Sequence, residues 1–218
     1  MKRLILSIRY GVAAALVNAA VIGAVLVAGV AAAEPTRILA LGDSLTAGHG
    51  LERRDSFPVQ LQRALKSEGI DAVVSNAGVS GDTSAGGRAR LAWVLAEKPD
   101  VAIIELGAND GLRGLDPQAT FANLDAILAR LREAGVAVLL TGMQAPPNLG
   151  REYGQAFAEL YPRLAAKHGV VLYPFFLDGV AAVPALNQDD AIHPNAMGVA
   201  VIVKRIVPYV KRVMAPGG

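Results

Sequence analysis

The chain has 218 residues, of which 53% are apolar and 18% charged, and carries a formal net charge of +2. That length accommodates one ordinary domain and a targeting segment, with little room for a second domain. Cysteine is absent, which excludes disulfides, a thiolate nucleophile, Cys-ligated metal sites and an acylated N-terminal cysteine.

The positive charge is concentrated at the start. Lys2, Arg3 and Arg9 precede 23 uncharged residues from Gly11 to Ala33, and Ala31-Ala32-Ala33 stands before Glu34. A basic region, an apolar region and a run of small residues, in that order, predict a secretory signal peptide. The apolar run exceeds the usual core of about 7–15 residues and is long enough to span a bilayer, so a retained single-span anchor is the alternative. Residues 1–33 are therefore read as signal peptide or anchor and 34–218 as the folded domain, exported to the periplasm or beyond, or held at the membrane. Of 21 basic and 19 acidic residues, removal of those three bases leaves 18 against 19, a balance of −1. With no Lys/Arg run in the remainder, nucleic acid is not an expected partner.

After Glu34-Pro35, strand-like and helix-like segments alternate, the pattern of a parallel sheet covered by helices. Residues Arg37–Leu41 read as the first strand, Phe57–Glu68 as a helix, Ala72–Ser75 as the second strand, Ser84–Ala96 as the next helix and Val101–Glu105 as the third strand. Asp116 can cap the following helix, Pro117 suits its first position, and Phe121, Leu124, Leu128 and Leu131 share one face before Gly135. Val136–Thr141 follows as a strand. Tyr153, Phe157, Leu160, Tyr161 and Leu164 form the apolar face of a helix over Arg151–His168, and Val170–Tyr173 is the fifth strand. A last helix runs from about Ala196 toward Pro208, where proline should kink or end it. About five such units predict a three-layer αβα sandwich of flavodoxin-like arrangement with a five-stranded parallel sheet. In such sheets ligands bind beyond the carboxyl ends of the strands, where three polar loops converge: Gly42-Asp43-Ser44, Asn76-Ala77-Gly78 and Gly107-Ala108-Asn109-Asp110.

A serine hydroxyl attacks an acyl carbon at neutral pH only with a base beside it, a group orienting that base, and donors aimed at the developing oxyanion. Three histidines are available. His168, before Gly169 at a helix C-terminus, reads as a cap. His49, between Gly48 and Gly50, lies near Ser44 in the chain but has no orienting partner in sequence. His193 has one: in Asp190-Ala191-Ile192-His193 an acid three residues earlier can reach the imidazole, with Asp189 as the rival carboxylate. The same residues also suit a helix cap before Asn195. Gly42-Asp43-Ser44-Leu45 is equally compatible with a simple turn after a strand. No serine lies in a G-x-S-x-G nucleophile elbow.

Taken together, Gly42-Asp43-Ser44-Leu45, Gly78-Val79-Ser80-Gly81-Asp82-Thr83, Gly107-Ala108-Asn109-Asp110 and Asp190-Ala191-Ile192-His193-Pro194 resemble, in order, the blocks of the SGNH, or GDSL, hydrolases. Within that family the chain is most similar to the exported arylesterase, lysophospholipase and acyl-CoA thioesterase branch, which usually shows Gly where Ala191 stands. The resemblance implies Ser44 as nucleophile, His193 as base oriented by Asp190, and an oxyanion hole from the Ser44 and Gly81 backbone N–H groups and the Asn109 side chain. It implies no metal and no organic cofactor. Neither G-x-G-x-x-G nor G-x-x-x-x-G-K-[ST] is present to cradle a phosphate. Leu112, Met143 and Pro146, with Leu115, Pro147 and Leu149, stand in loops after the third and fourth strands and can wall an acyl chain. The expected substrate is a small-molecule or lipid acyl ester. A carbohydrate O-deacetylase using the same groups and a noncatalytic membrane-anchored binding module are the alternatives.

Overall fold

The structure is a computed structural model that describes residues 34–215. The segment 1–33, read above as signal peptide or anchor, lies outside the described residues. Five strands, β1 (Thr36–Gly42), β2 (Ala72–Gly78), β3 (Val101–Glu105), β4 (Ala137–Thr141) and β5 (Val171–Tyr173), form one sheet in the order β2-β1-β3-β4-β5. Every pairing is parallel. All five residues of β3 are buried, as its central place requires, and the near-continuous apolar run of this strand follows from being covered on both faces.

Seven helices, α1 (Ser44–Ala47), α2 (Phe57–Ser67), α3 (Ser84–Leu95), α4 (Ala108–Leu112), α5 (Pro117–Glu133), α6 (Arg151–His168) and α7 (Ala196–Met214), complete the described fold. The chain steps from β1 to β2 on one side and then returns past β1 to β3. Because β-crossover-β connections are right-handed, that reversal sends α2 to one face and α3 to the other. Accordingly α2 packs on β2 and against α7, which lies on β4 and β5, whereas α3, α5 and α6 pack in succession and meet β1 and β4. The reversal opens a crevice between the carboxyl ends of β1 and β3, the switch point of a doubly wound sheet.

Local sequence sets the helix starts. Asp116 Oδ1 accepts from Gln118 N at 2.9 Å ahead of Pro117, and Asn195 Oδ1 accepts from Met197 N and Gly198 N, both at 3.0 Å. Each side chain satisfies donors that the first turn leaves open. Phe121 lies at the margin of its helix's apolar face, half-buried and packed against the core, with the Arg163 guanidinium 4.9 Å above its ring. One expectation needs correction. His168 does not cap its helix with its side chain: Nε2 lies 2.8 Å from Asp125 Oδ1 on α5, and Lys167 Nζ reaches the same oxygen at 2.7 Å. Those two contacts strap α6 to α5, and Gly169, at φ 65°, ends the helix. Of the two outcomes expected at Pro208, a kink or an end, the helix does not end there: α7 continues to Met214, because Val199, Ile202, Val203, Ile206, Val207, Val210 and Val213 keep one buried face across the proline. Tertiary burial there outweighs a local penalty of about 3 kcal/mol.

Pro208→Ala restores a donor to the Lys204 carbonyl. It should stabilise the domain by about 1 kcal/mol or more, short of the full ~3 kcal/mol because proline also restricts the unfolded chain. Urea denaturation at unchanged m-value reads this, and an unaltered midpoint would mean that α7 carries no penalty at this position.

Candidate active site

Gly42 closes β1, paired in register with Gly78 of β2 and Glu105 of β3. A Cβ at Gly42 would collide with Thr46 Oγ1 and lie 2.5 Å from Glu105 Oε2, so only glycine lets the chain turn down over the end of β3. Asp43 then caps α1, its Oδ1 accepting from Leu45 N at 3.0 Å. Ser44 opens the helix with its hydroxyl in the crevice and its N–H without a bond among the described residues.

From the other end of the chain, the loop before α7 brings His193 to the same point. His193 Nε2 lies 2.9 Å from Ser44 Oγ, and Nδ1 lies 2.6 Å from Asp190 Oδ2. The other oxygen of Asp190 accepts from Ile192 N at 2.9 Å and from His193 N at 3.0 Å. These bonds, the His193 backbone and ring first and Ile192 N after them, hold the Asp190 carboxyl well below the usual carboxylate range. An ionised Asp190 accepts a hydrogen bond from Nδ1–H, which fixes the tautomer and leaves Nε2 to accept from the serine. Asp189, the rival carboxylate, forms no hydrogen bond to His193.

Two backbone positions flank the hydroxyl. Gly81, at φ 83°, presents an N–H that forms no hydrogen bond among the described residues. Its carbonyl accepts from Arg113 Nη2 at 2.8 Å. Asn109, near the start of α4, donates one Nδ2 hydrogen to Asp43 Oδ2 at 3.0 Å and keeps the other. Arg90 ties these loops together: its guanidinium reaches Asp82 Oδ2 at 2.7 Å, Ala77 O at 2.7 Å and Gly42 O at 2.9 Å. The Ser44 hydroxyl, linked through His193 to Asp190, thus shares one crevice with Gly81 and Asn109, and these are the kinds of group that acyl transfer requires.

The site opens into a cleft of about 540 Å³ whose walls include Leu112, Met143, Pro146, Pro147, Phe175 and Leu177. The expected wall residues Leu112, Met143 and Pro146 thus come together, whereas Leu115 and Leu149 do not line the cleft. Tyr153 Oη donates to Leu115 O at 2.7 Å, which fixes that turn outside the cleft. Among the described residues no group of three His, Asp or Glu side chains is disposed to hold a metal ion.

The GDSL-like Lipase/Acylhydrolase family profile matches residues 40–201. The chain belongs to this family. It is 44% identical to the esterase TesA of Pseudomonas aeruginosa over 80% of this chain and 87% of the relative. It is 41% identical to an arylesterase of Vibrio mimicus over 73% and 80% of the two chains. A protein of Escherichia coli K12 described as thioesterase 1/protease 1/lysophospholipase L1 is 43% identical over 75% and 78%. Among solved structures, AlinE4, an SGNH-hydrolase family esterase, superposes with a TM-score of 0.71 at 47% identity, covering 84% of this chain and 98% of that one. The doubly wound fold matches that family, and the chain is a serine esterase.

Several site residues escape sequence reasoning. Glu105 reads as the last position of a strand, and Asp43 as part of a turn, yet both lie buried beneath the turn that carries Ser44. His49, without a partner in sequence, has its ring centroid 4.6 Å from that of His193, tilted by 44°. Ala191, which replaces the glycine usual in the branch, adopts φ 58°, and Ala182, which lines the same cleft, adopts φ 59°. A left-handed alanine costs roughly 1–2 kcal/mol. Ala191→Gly should therefore raise the unfolding free energy by about 1 kcal/mol after the greater chain entropy of glycine is deducted. Thermal or urea unfolding measures it, and a loss of stability would show that the turn at Ala191 is not strained.

Proposed function

We propose that Ser44 is the nucleophile, His193 the general base oriented by Asp190, and that the Ser44 and Gly81 N–H groups with Asn109 Nδ2 form the oxyanion hole. The observation that carries this reading is the continuous chain Ser44 Oγ–His193 Nε2, 2.9 Å, and His193 Nδ1–Asp190 Oδ2, 2.6 Å. Ser44 Oγ attacks the acyl carbonyl while Nε2 takes its proton. The tetrahedral oxyanion accepts the three N–H groups, His193 returns the proton to the departing alcohol oxygen, and an acyl-enzyme remains on Ser44. Water, activated by the same imidazole, then releases the acid.

The apolar walls favour an acyl chain longer than acetyl, which argues for aryl esters, lysophospholipids and other lipid esters, with acyl thioesters open to the same chemistry, over a carbohydrate O-deacetylase. Burying each methylene is worth about 0.8 kcal/mol, so kcat/KM should climb by up to about fourfold per added CH₂ along a p-nitrophenyl ester series until the cleft is filled. A maximum at acetyl would favour the deacetylase reading. Export rests on the order of the N-terminal segments in the sequence. No described helix is long and apolar enough to cross a membrane.

Ser44→Ala should abolish hydrolysis of p-nitrophenyl esters in a folded protein, and unchanged turnover would refute the assignment. Asn109→Ala should lower kcat by about 10²–10³-fold, the usual loss of one oxyanion donor. A change confined to KM would exclude Asn109 from that role.

A further inference from the structure

Beneath the β1–α1 turn lie two carboxyl groups that the acyl-transfer steps do not use. Glu105 is completely buried. Its Oε2 accepts from Thr46 Oγ1 at 2.8 Å and from Asp43 N at 3.2 Å, and its Oε1 has no partner among the described residues. Asp43 is buried as fully. Of its oxygens, Oδ1 accepts from Leu45 N at 3.0 Å and Oδ2 from Asn109 Nδ2 at 3.0 Å. The carboxamide of Asn109 can present either its NH₂ or its oxygen to the crevice, according to a half-turn about its terminal torsion. With the oxygen toward the oxyanion, attraction would become repulsion. The same half-turn would aim that oxygen at Asp43.

We propose, on the serine-nucleophile reading above, that Asp43 and Glu105 are positioning residues: the Asp43 carboxylate, seated over Glu105, accepts only, and so locks Asn109 with a hydrogen toward the oxyanion. Two adjacent anions in this interior would cost several kcal/mol. Burial, reinforced by the Asp43 charge, raises Glu105 well above the carboxylate range, so it stays neutral. Burial pushes Asp43 up to about 6, against the hydrogen bonds it accepts from Leu45 N and Asn109 Nδ2, the neighbouring Glu105 carboxyl, and the charge His193 carries when protonated. The other groups packed around Asp43 are Arg90 of α3, which donates to Gly42 O at 2.9 Å, and Tyr161 of α6, whose hydroxyl donates to Leu106 O at 3.0 Å. Above about pH 6 Asp43 is an anion and the amide is locked. Below it, a protonated carboxyl can donate to the flipped amide and the lock is released.

Asp43→Asn keeps an oxygen for Leu45 N but turns an NH₂ toward Asn109. A misplaced catalytic group costs up to about 10²-fold, so kcat for a p-nitrophenyl ester should fall about 10–100-fold while KM stays within about threefold. Because Asp43 acts through Asn109, Asp43→Asn placed on Asn109→Ala should cost less than about threefold more. Losses that multiply would overturn the proposal. Glu105→Leu should lower kcat, and Glu105→Gln, which keeps the acceptor without a charge, should restore most of it; Gln no better than Leu would contradict a neutral Glu105. Should these variants fail to fold, the unmodified protein supplies its own readout. The Asn109 side-chain ¹⁵N and NH₂ resonances should titrate with a midpoint near that of Asp43, about 6, and invariance across that range would overturn the proposal. Ser44→Ala is run beside them. Turnover that survives Ser44→Ala overturns the serine reading as well, whereas turnover lost in Ser44→Ala and kept in Asp43→Asn overturns this inference alone.

Discussion

The hydrogen bond between Ser44 Oγ and His193 Nε2 joins groups 149 residues apart and is the contact on which the site depends. Neither side chain is held by its partner alone. Ser44 is fixed by the end of a buried central strand and by the short helix it opens. His193 rides on the loop before α7, and α7 is anchored by a continuous buried face against α2 and the sheet. Gln188 closes the remaining gap: Nε2 donates to His49 O at 2.8 Å and to Pro194 O at 3.0 Å, and its backbone N donates to His193 O at 2.8 Å. A Cβ at Gly50, which sits at φ 71°, would collide with Gln188 Oε1. The His193 loop is thereby pinned to the Ser44 loop through backbone carbonyls, which hold position whatever the protonation of the imidazole.

The floor of the site is polar and the walls are apolar, and the two are built differently. Beneath the loops, Arg90 and Asp110 each find several partners. Besides the three acceptors of Arg90, Asp110 takes Ser84 N at 2.8 Å, Ser84 Oγ at 2.5 Å and Thr120 Oγ1 at 3.1 Å, which ties α4 to α3 and α5 one residue after Asn109. Leaving any one of these groups unpaired costs about 1–3 kcal/mol, so the network resists small displacements of Gly81 and Asn109. The cleft walls depend on packing alone. Ile192 and Leu112 are about half exposed at its mouth, where an acyl chain can cover them.

Much of this was legible in the chain because the signals were local. Short apolar runs separated by amphipathic helices gave the alternating layers, and Asp116-Pro117 and Gly135 marked the ends of α5. Asp190 and His193 are three residues apart, so their pairing could be read from spacing, while their meeting with Ser44 rested on the ordered motif blocks. What was not legible depends on tertiary contact. Glu105 ends an apolar strand and looks like a residue at a sheet margin; only the fold of the Gly42 turn buries it. His168 looked like a helix cap because its partner, Asp125, is on another helix. Pro208 leaves a kink and a helix end both open, because local propensity says nothing about the buried face that continues beyond it. Ala191 stood out only as a substitution, and its left-handed backbone gives that difference a physical meaning.

The central claim is that one hydroxyl, on Ser44, is made nucleophilic by His193. Treatment of the folded protein with a fluorophosphonate, followed by intact-mass and peptide mass spectrometry, tests it most directly. The account predicts a single adduct, located on the peptide containing Ser44, formed at a rate that collapses in His193→Ala and absent from Ser44→Ala. An adduct on another serine, or none in a protein that still hydrolyses esters, would contradict it.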